Sequence, residues 1–94
     1  MADFTSSIVE SYTLYQYDTC PFCHRVRQFL QSVGLEMPMR DILDDPEAFL
    51  ELLQGGGRQT VPCLRIENAD GVAWLYESRD IIDYLSRRLD VPRT

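Results

Sequence analysis

The sequence predicts an α/β domain: a four-stranded mixed sheet flanked by helices, in the order strand, helix, strand, helix, strand, strand, helix (βαβαββα). Three observations point there. An aromatic, β-favouring run ends at a Cys-x-x-Cys pair and gives way at once to an amphipathic stretch. A second helical segment opens on Asp-Pro-Glu. Two short strand-like runs then flank an Asn-Ala-Asp-Gly turn. A βαβ unit followed by a hairpin and a helix implies helices on both faces of the sheet. The chain has 94 residues, enough for one small core. Residues 1–10 are expected to form a flexible N-terminal arm and residues 11–94 the domain.

The first strand is expected at Tyr12-Thr13-Leu14-Tyr15-Gln16-Tyr17, which is rich in aromatic and β-favouring residues. In the helix that follows, Phe22, Val26, Phe29, Leu30 and Val33 share an apolar face, while His24, Arg25, Arg27, Gln28, Gln31 and Ser32 fill the opposite one. Pro21 sits in its first turn, where the missing N–H costs nothing, and Gly34 supplies the stop. Glu36 to Ile42 reads as a second strand with an irregular middle at Pro38. Asp45 then caps, Pro46 opens and Glu47 suits the dipole of a helix whose apolar face is expected at Phe49, Leu50 and Leu53, with Gly55-Gly56-Gly57 as its exit. Thr60 to Ile66 is a loop entering a strand. The Asn68 to Gly71 turn and the strand Val72 to Tyr76 complete a hairpin. Ser78 marks the start of the last helix, with Ile81, Ile82, Leu85 and Leu89 along it, Arg87 and Arg88 in the last turn and Pro92 beyond.

The formal charge of −6 disfavours a phosphate backbone or an anionic membrane surface as partner, so neither nucleic acid nor membrane is expected. All nine basic residues besides His24 are Arg. The first ten residues have no basic start and no long apolar run. A cytoplasmic monomer is expected. Three cysteines in such a chain fit catalytic thiols better than a disulfide scaffold.

Cys20-Pro21-Phe22-Cys23 carries the chemistry. Two thiols at a strand-to-helix junction can form and break a disulfide without rearranging the backbone. Unpaired N–H groups and the positive end of the helix dipole favour an anion at Cys20, which makes it the expected nucleophile. Cys23 lies one turn further in, where burial should keep it a thiol until it resolves a mixed disulfide. A structural zinc site needs four ligands, and only Cys63 and His24 remain to complete one, with His24 on the polar face; no metal is expected. The triple glycine lacks the Lys and Ser/Thr of a nucleotide loop. Cys63 reads as a small buried strand residue, with oxidation or glutathionylation beside the active site as the alternative.

Cys20-Pro21-Phe22-Cys23, Thr60-Val61-Pro62 further on, and the Glu77-Ser78 helix start occur in an order and spacing that resemble the glutaredoxin family, over Tyr12 to Leu89. The resemblance implies a thioredoxin fold with the dithiol at the end of its first strand and a cis Pro62 that exposes Val61. It implies a glutathione-dependent thiol-disulfide oxidoreductase with Cys20 and Cys23 as catalytic residues. Glutathione would be the cosubstrate, and protein disulfides or glutathione mixed disulfides the substrates. The glutathione site would comprise Tyr17, Arg58, Thr60, Val61, Pro62, Glu77 and Ser78. In it, Val61 would pair with the cysteinyl backbone, Arg58 would meet the glycyl carboxylate, and Glu77-Ser78 would hold the γ-glutamyl end as in transferase-like relatives. Ser78 could equally be a plain N-cap. Many glutaredoxins place a Lys where this chain has Tyr17, leaving Arg58, Gln59 or Arg25 to supply the cation. The rival readings are a glutathione transferase domain, a glutathione-binding iron–sulfur cluster carrier and a redox sensor module with little turnover.

Overall fold

The computed structural model describes residues 10–90. The expected N-terminal arm, apart from Glu10, and Pro92 lie outside those residues. Seven elements follow the expected order: β1 (Ser11–Gln16), α1 (Pro21–Val33), β2 (Met39–Asp41), α2 (Pro46–Gly56), β3 (Cys63–Asn68), β4 (Gly71–Tyr76) and α3 (Ser78–Leu89). The sheet runs β2-β1-β3-β4, with β1 parallel to β2 and antiparallel to β3, and β3 antiparallel to β4. This is the mixed four-stranded sheet of a thioredoxin fold.

Strand alternation sorts the core into two layers. Leu14, Leu64 and Ile66 face one side, where α1 contributes Val26, Phe29 and Leu30 and α3 contributes Ile81, Ile82 and Leu85. Tyr15 and Cys63 face the other side, under Ala48 and Leu52 of α2. The second strand is shorter than expected. Pairing starts at the Pro38 carbonyl, which accepts from Leu14 N at 3.0 Å, and only Met39–Asp41 continue it.

Helix α2 corrects the sequence reading. Leu50 and Leu53 are exposed and Phe49 is only partly buried, whereas Ala48 and Leu52 are fully covered. Gly55 and Gly56 belong to the helix, and Gly57, at φ 86°, caps it. The sheet-facing stripe is therefore Ala48, Leu52, Gly55 and Gly56. Its small members let the helix approach β4: a β-carbon at Gly55 would overlap the Trp74 indole, and one at Gly56 would overlap the Tyr76 hydroxyl. Two polar networks fasten the elements. Arg40 bonds both Asp45, the N-cap of α2, and Glu51, which also accepts from Tyr15 OH at 2.7 Å. At the opposite end, Glu10 accepts from Tyr12 and Tyr84 hydroxyls, each at 2.8 Å, and from Arg88 and Asn68 at 3.2 Å.

Gly55→Ala should destabilise the fold even though Ala gains about 1 kcal/mol of helix propensity over Gly. Displacing the indole costs about 1–3 kcal/mol. The expected outcome is a net loss in urea unfolding followed by the fluorescence of Trp74, the chain's one tryptophan. A gain in stability would mean that α2 does not touch β4.

Candidate functional site

The end of β1 and the start of α1 place the first thiol. Cys20 N donates to the Tyr17 carbonyl at 3.3 Å, closing a turn through Asp18 and Thr19. Cys20 is the N-cap of α1, with extended backbone, and its Sγ accepts from Cys23 N at 3.2 Å. A thiol thus occupies the position where Ser or Asp normally satisfies a helix N–H. The Cys20 thiol also donates to the Val61 carbonyl across the site at 3.9 Å. The Val61–Pro62 peptide is cis, as expected.

Arg27 secures this turn. Its guanidinium bonds the Gln16 side chain and donates to the Tyr17 carbonyl at 3.4 Å and the Asp18 carbonyl at 3.0 Å. It therefore reaches back from α1 to the segment that delivers Cys20. The sequence reading put Arg27 on the solvated face; the structure half-buries it instead. Phe22 moves the opposite way. It is 55% exposed, and Cys23 takes its place in the buried stripe with Val26 and Leu30.

The three cysteines are free thiols. Burial, reinforced by the hydrogen bond and charge of Cys20, pushes the Cys23 thiol up to about 12, against the opposing effects of a Tyr17 backbone hydrogen bond and the Arg27 charge. Burial also pushes Cys63 up to about 12, with the Tyr76 hydroxyl opposing. Cys63 is wholly buried in the α2-side core.

A groove of about 700 Å³ opens beside the dithiol. Phe22 and Arg25 of α1 form one wall. The loop after α2 contributes Arg58, Thr60, Val61 and Pro62, and the start of α3 contributes Glu77 and Ser78 together with Arg79 and Asp80. Arg58 is held from three sides. Its guanidinium lies 4.3 Å from the Tyr76 ring centroid and 3.5 Å from Glu77, while the Tyr76 hydroxyl accepts from Arg58 N and donates to its carbonyl. Glu77 has φ 76°, a conformation uncommon for a residue with a side chain, and it is the residue before the first helical turn. Ser78 is therefore the first helical residue rather than the cap, and it is buried.

Of the residues expected to bind a ligand, Arg58, Thr60, Val61, Pro62, Glu77 and Ser78 converge on this one groove. Tyr17 does not line it. Its side chain packs against the core that contains Tyr15, Ile42 and Cys63, and its carbonyl anchors the Cys20 turn. His24 is exposed on α1. Sequence reasoning missed Arg27 and Tyr76; no local pattern distinguishes either from an ordinary helix or strand residue. Among the described residues, no three His, Cys, Asp or Glu side chains gather as metal ligands, and no helix is long and apolar enough to cross a membrane.

The glutaredoxin family model matches residues 12–70. Mouse (Mus musculus) prostaglandin E synthase 2 is 38% identical over 77 residues, which cover 82% of this chain and 19% of that protein. Glutaredoxin 3 of Escherichia coli K12 is 33% identical over 54 residues, or 57% of this chain and 65% of that protein. The chain thus spans about a fifth of the first relative and just under two thirds of the second. Among solved structures, glutaredoxin 2 from Salmonella typhimurium in complex with glutathione superposes with a TM-score of 0.69 at 28% identity, covering 87% of this chain and 35% of that one.

The thiol environments predict ordered alkylation. Burial pushes the Cys23 and Cys63 thiols up to about 12, which leaves little of either as thiolate at pH 8. Iodoacetamide should label the folded, reduced protein once, at Cys20, and label the other two cysteines only after denaturation. Mass mapping that finds Cys23 modified ahead of Cys20 would reverse their order.

Proposed function

The chain belongs to the glutaredoxin family, and on that premise we propose that it is a glutathione-dependent thiol-disulfide oxidoreductase acting on glutathione mixed disulfides and protein disulfides. The observation that carries this reading is the Cys20 thiol at the α1 N-cap, 3.9 Å from the Val61 carbonyl and beside the groove. A nucleophile there meets a ligand lying along Val61.

In the proposed reaction the Cys20 thiolate attacks the glutathione sulfur of a mixed disulfide R–S–S–G. That bond breaks, its electron pair leaves with R–S⁻, which takes a proton, and a Cys20–glutathione disulfide forms. A second glutathione thiolate attacks the glutathione sulfur of this intermediate, releasing glutathione disulfide and the Cys20 thiolate. The balance is R–S–S–G plus glutathione giving R–SH plus glutathione disulfide. With a protein disulfide, Cys20 attacks one protein sulfur and the other leaves as a thiolate that takes a proton. Cys23 then attacks the Cys20 sulfur, the remaining protein thiolate leaves and is protonated, and two glutathiones reduce the internal disulfide, giving glutathione disulfide.

Glutathione would lie with its cysteinyl backbone paired to Val61, between Thr60 and Pro62, like an added antiparallel strand. Its γ-glutamyl carboxylate would meet the Ser78 N–H and hydroxyl at the start of α3, its amine Glu77, and its glycyl carboxylate Arg58. The Arg58–Glu77 pair is exposed and worth at most about 1 kcal/mol, so ligand carboxylate and ammonium groups can replace it at small cost. Tyr17 would act through its carbonyl, holding the Cys20 turn. The cytoplasm, where thiols are kept reduced, suits this chemistry.

Turnover of a glutathione mixed disulfide is the test. Wild type and Cys23→Ser should show saturable, glutathione-dependent rates, whereas Cys20→Ser should show none and Cys23→Ser should lose reduction of protein disulfides that need both thiols. No turnover by wild type would overturn the reading. Tyr76→Phe removes both hydroxyl bonds to Arg58 and should raise KM for the mixed disulfide about fivefold, the equivalent of one hydrogen bond of about 1 kcal/mol.

A further inference from the structure

Most of the described arginines hold a carboxylate, and two that do not lie in one place. Among the described residues, Arg40, Arg58, Arg65, Arg87 and Arg88 each hold a carboxylate partner. Arg27 is taken up by the Gln16 side chain and two main-chain carbonyls. Arg25 and Arg79 have no acidic partner. Both are exposed, and both line the dithiol groove. Arg25 lies over the ring of Phe22, 5.7 Å from its centroid, and that ring is 55% exposed. With Arg58 and Glu77 balancing each other, Asp80 is the one carboxylate among the groove residues set against these two guanidiniums. The groove is therefore locally positive on a chain of net charge −6.

We propose that Phe22, Arg25 and Arg79 form a docking rim for the polypeptide half of the mixed disulfide, and that the rim selects glutathionylated proteins whose modified cysteine is flanked by acidic residues. The inference rests on the oxidoreductase reading above. Glutathione does not need these groups, because its two carboxylates are matched by Arg58 and by the start of α3. Beyond it, the disulfide must continue into a polypeptide, and an exposed aromatic ring with two unpaired cations is what that polypeptide meets. The net charge of −6 disfavours an acidic partner over the rest of the chain, so the same charge distribution attracts and orients it at the groove. Steering of this kind acts over a Debye length of about 8–10 Å and weakens with salt.

Two peptides of equal length, each with one glutathionylated cysteine, provide the test: Asp and Glu flank the cysteine in one, Lys and Arg in the other. The cysteine–glutathione mixed disulfide is the control without a polypeptide. Wild type should favour the acidic peptide about tenfold in kcat/KM at low ionic strength and less than about twofold near 0.5 M salt. Arg25→Glu combined with Arg79→Glu should invert the preference. Equal rates on both peptides with wild type, or an unchanged preference in the double variant, would overturn the inference while leaving the oxidoreductase reading in place. An equal loss on all three substrates in the double variant would assign the guanidiniums to glutathione itself and also overturn it. Failure of wild type on the control would remove the underlying reading and the inference with it.

Discussion

Helix α2 can rest on β4 only because residues 55 and 56 carry no side chains. That close approach fixes much of what surrounds the groove. It sets the rotation of the helix, so that Ala48 and Leu52 face the sheet and Leu50 and Leu53 face outward. It leaves room for the Tyr76 hydroxyl, which bonds both main-chain groups of Arg58. It also starts the loop from Gly57 at the height that brings Val61 within 3.9 Å of the Cys20 sulfur. An alanine pair would favour the helix and disturb the site, because propensity acts on one element and packing acts on three.

The charged groups divide along the same line between structure and groove. Away from the dithiol, Glu10, Asp45 and Glu51 are consumed by the architecture. Glu10 gathers donors from β1, β3 and α3, and four hydrogen bonds outweigh the effect of burial and hold its carboxyl below the usual range. Asp45 caps α2 while bonding Arg40, which holds its carboxyl below the usual range too. At the groove, the Arg58–Glu77 contact is 3.5 Å between two well-exposed side chains. A chain with fifteen acidic and nine basic residues could have neutralised every arginine. Among the described residues, Arg25 and Arg79 hold no acidic partner, and both line the groove.

Much of this was legible from the residues, because punctuation and period-two or period-3.6 patterns act locally. Pro21 and Gly34 bound α1, Asp45 and Pro46 open α2, and the Asn68 to Gly71 turn closes the hairpin. What failed depended on tertiary contact. The sequence points to Phe49, Leu50 and Leu53 as the apolar face of α2, but the sheet side is lined by Leu52 together with the small Ala48, Gly55 and Gly56, which allow the close approach. Ser78 looked like a cap, yet Glu77 takes that place with a positive φ that no side-chain pattern announces. Arg27 looked solvated because a helical period says nothing about a strand end lying beside it. The groove residues were found through motif order, and the residues that position them were not, since Tyr76 and Gly56 act only through neighbours distant in sequence.

The two thiols need not be prepared at the same time, and their geometry accounts for the order. While Cys20 is reduced, its sulfur accepts from Cys23 N, and its hydrogen bond and charge add to burial in keeping Cys23 protonated. On the proposed reading, capture of a substrate turns that sulfur into half of a neutral disulfide. Both contributions of Cys20 then disappear, and burial is left to act against the Tyr17 backbone hydrogen bond and the Arg27 charge, which favour the thiolate. On that reading, loss of the Cys20 charge and hydrogen bond would make Cys23 easier to ionise after Cys20 has reacted than before. Arg27 contributes to both halves of this sequence. It holds the turn that presents Cys20, and its charge favours the Cys23 thiolate.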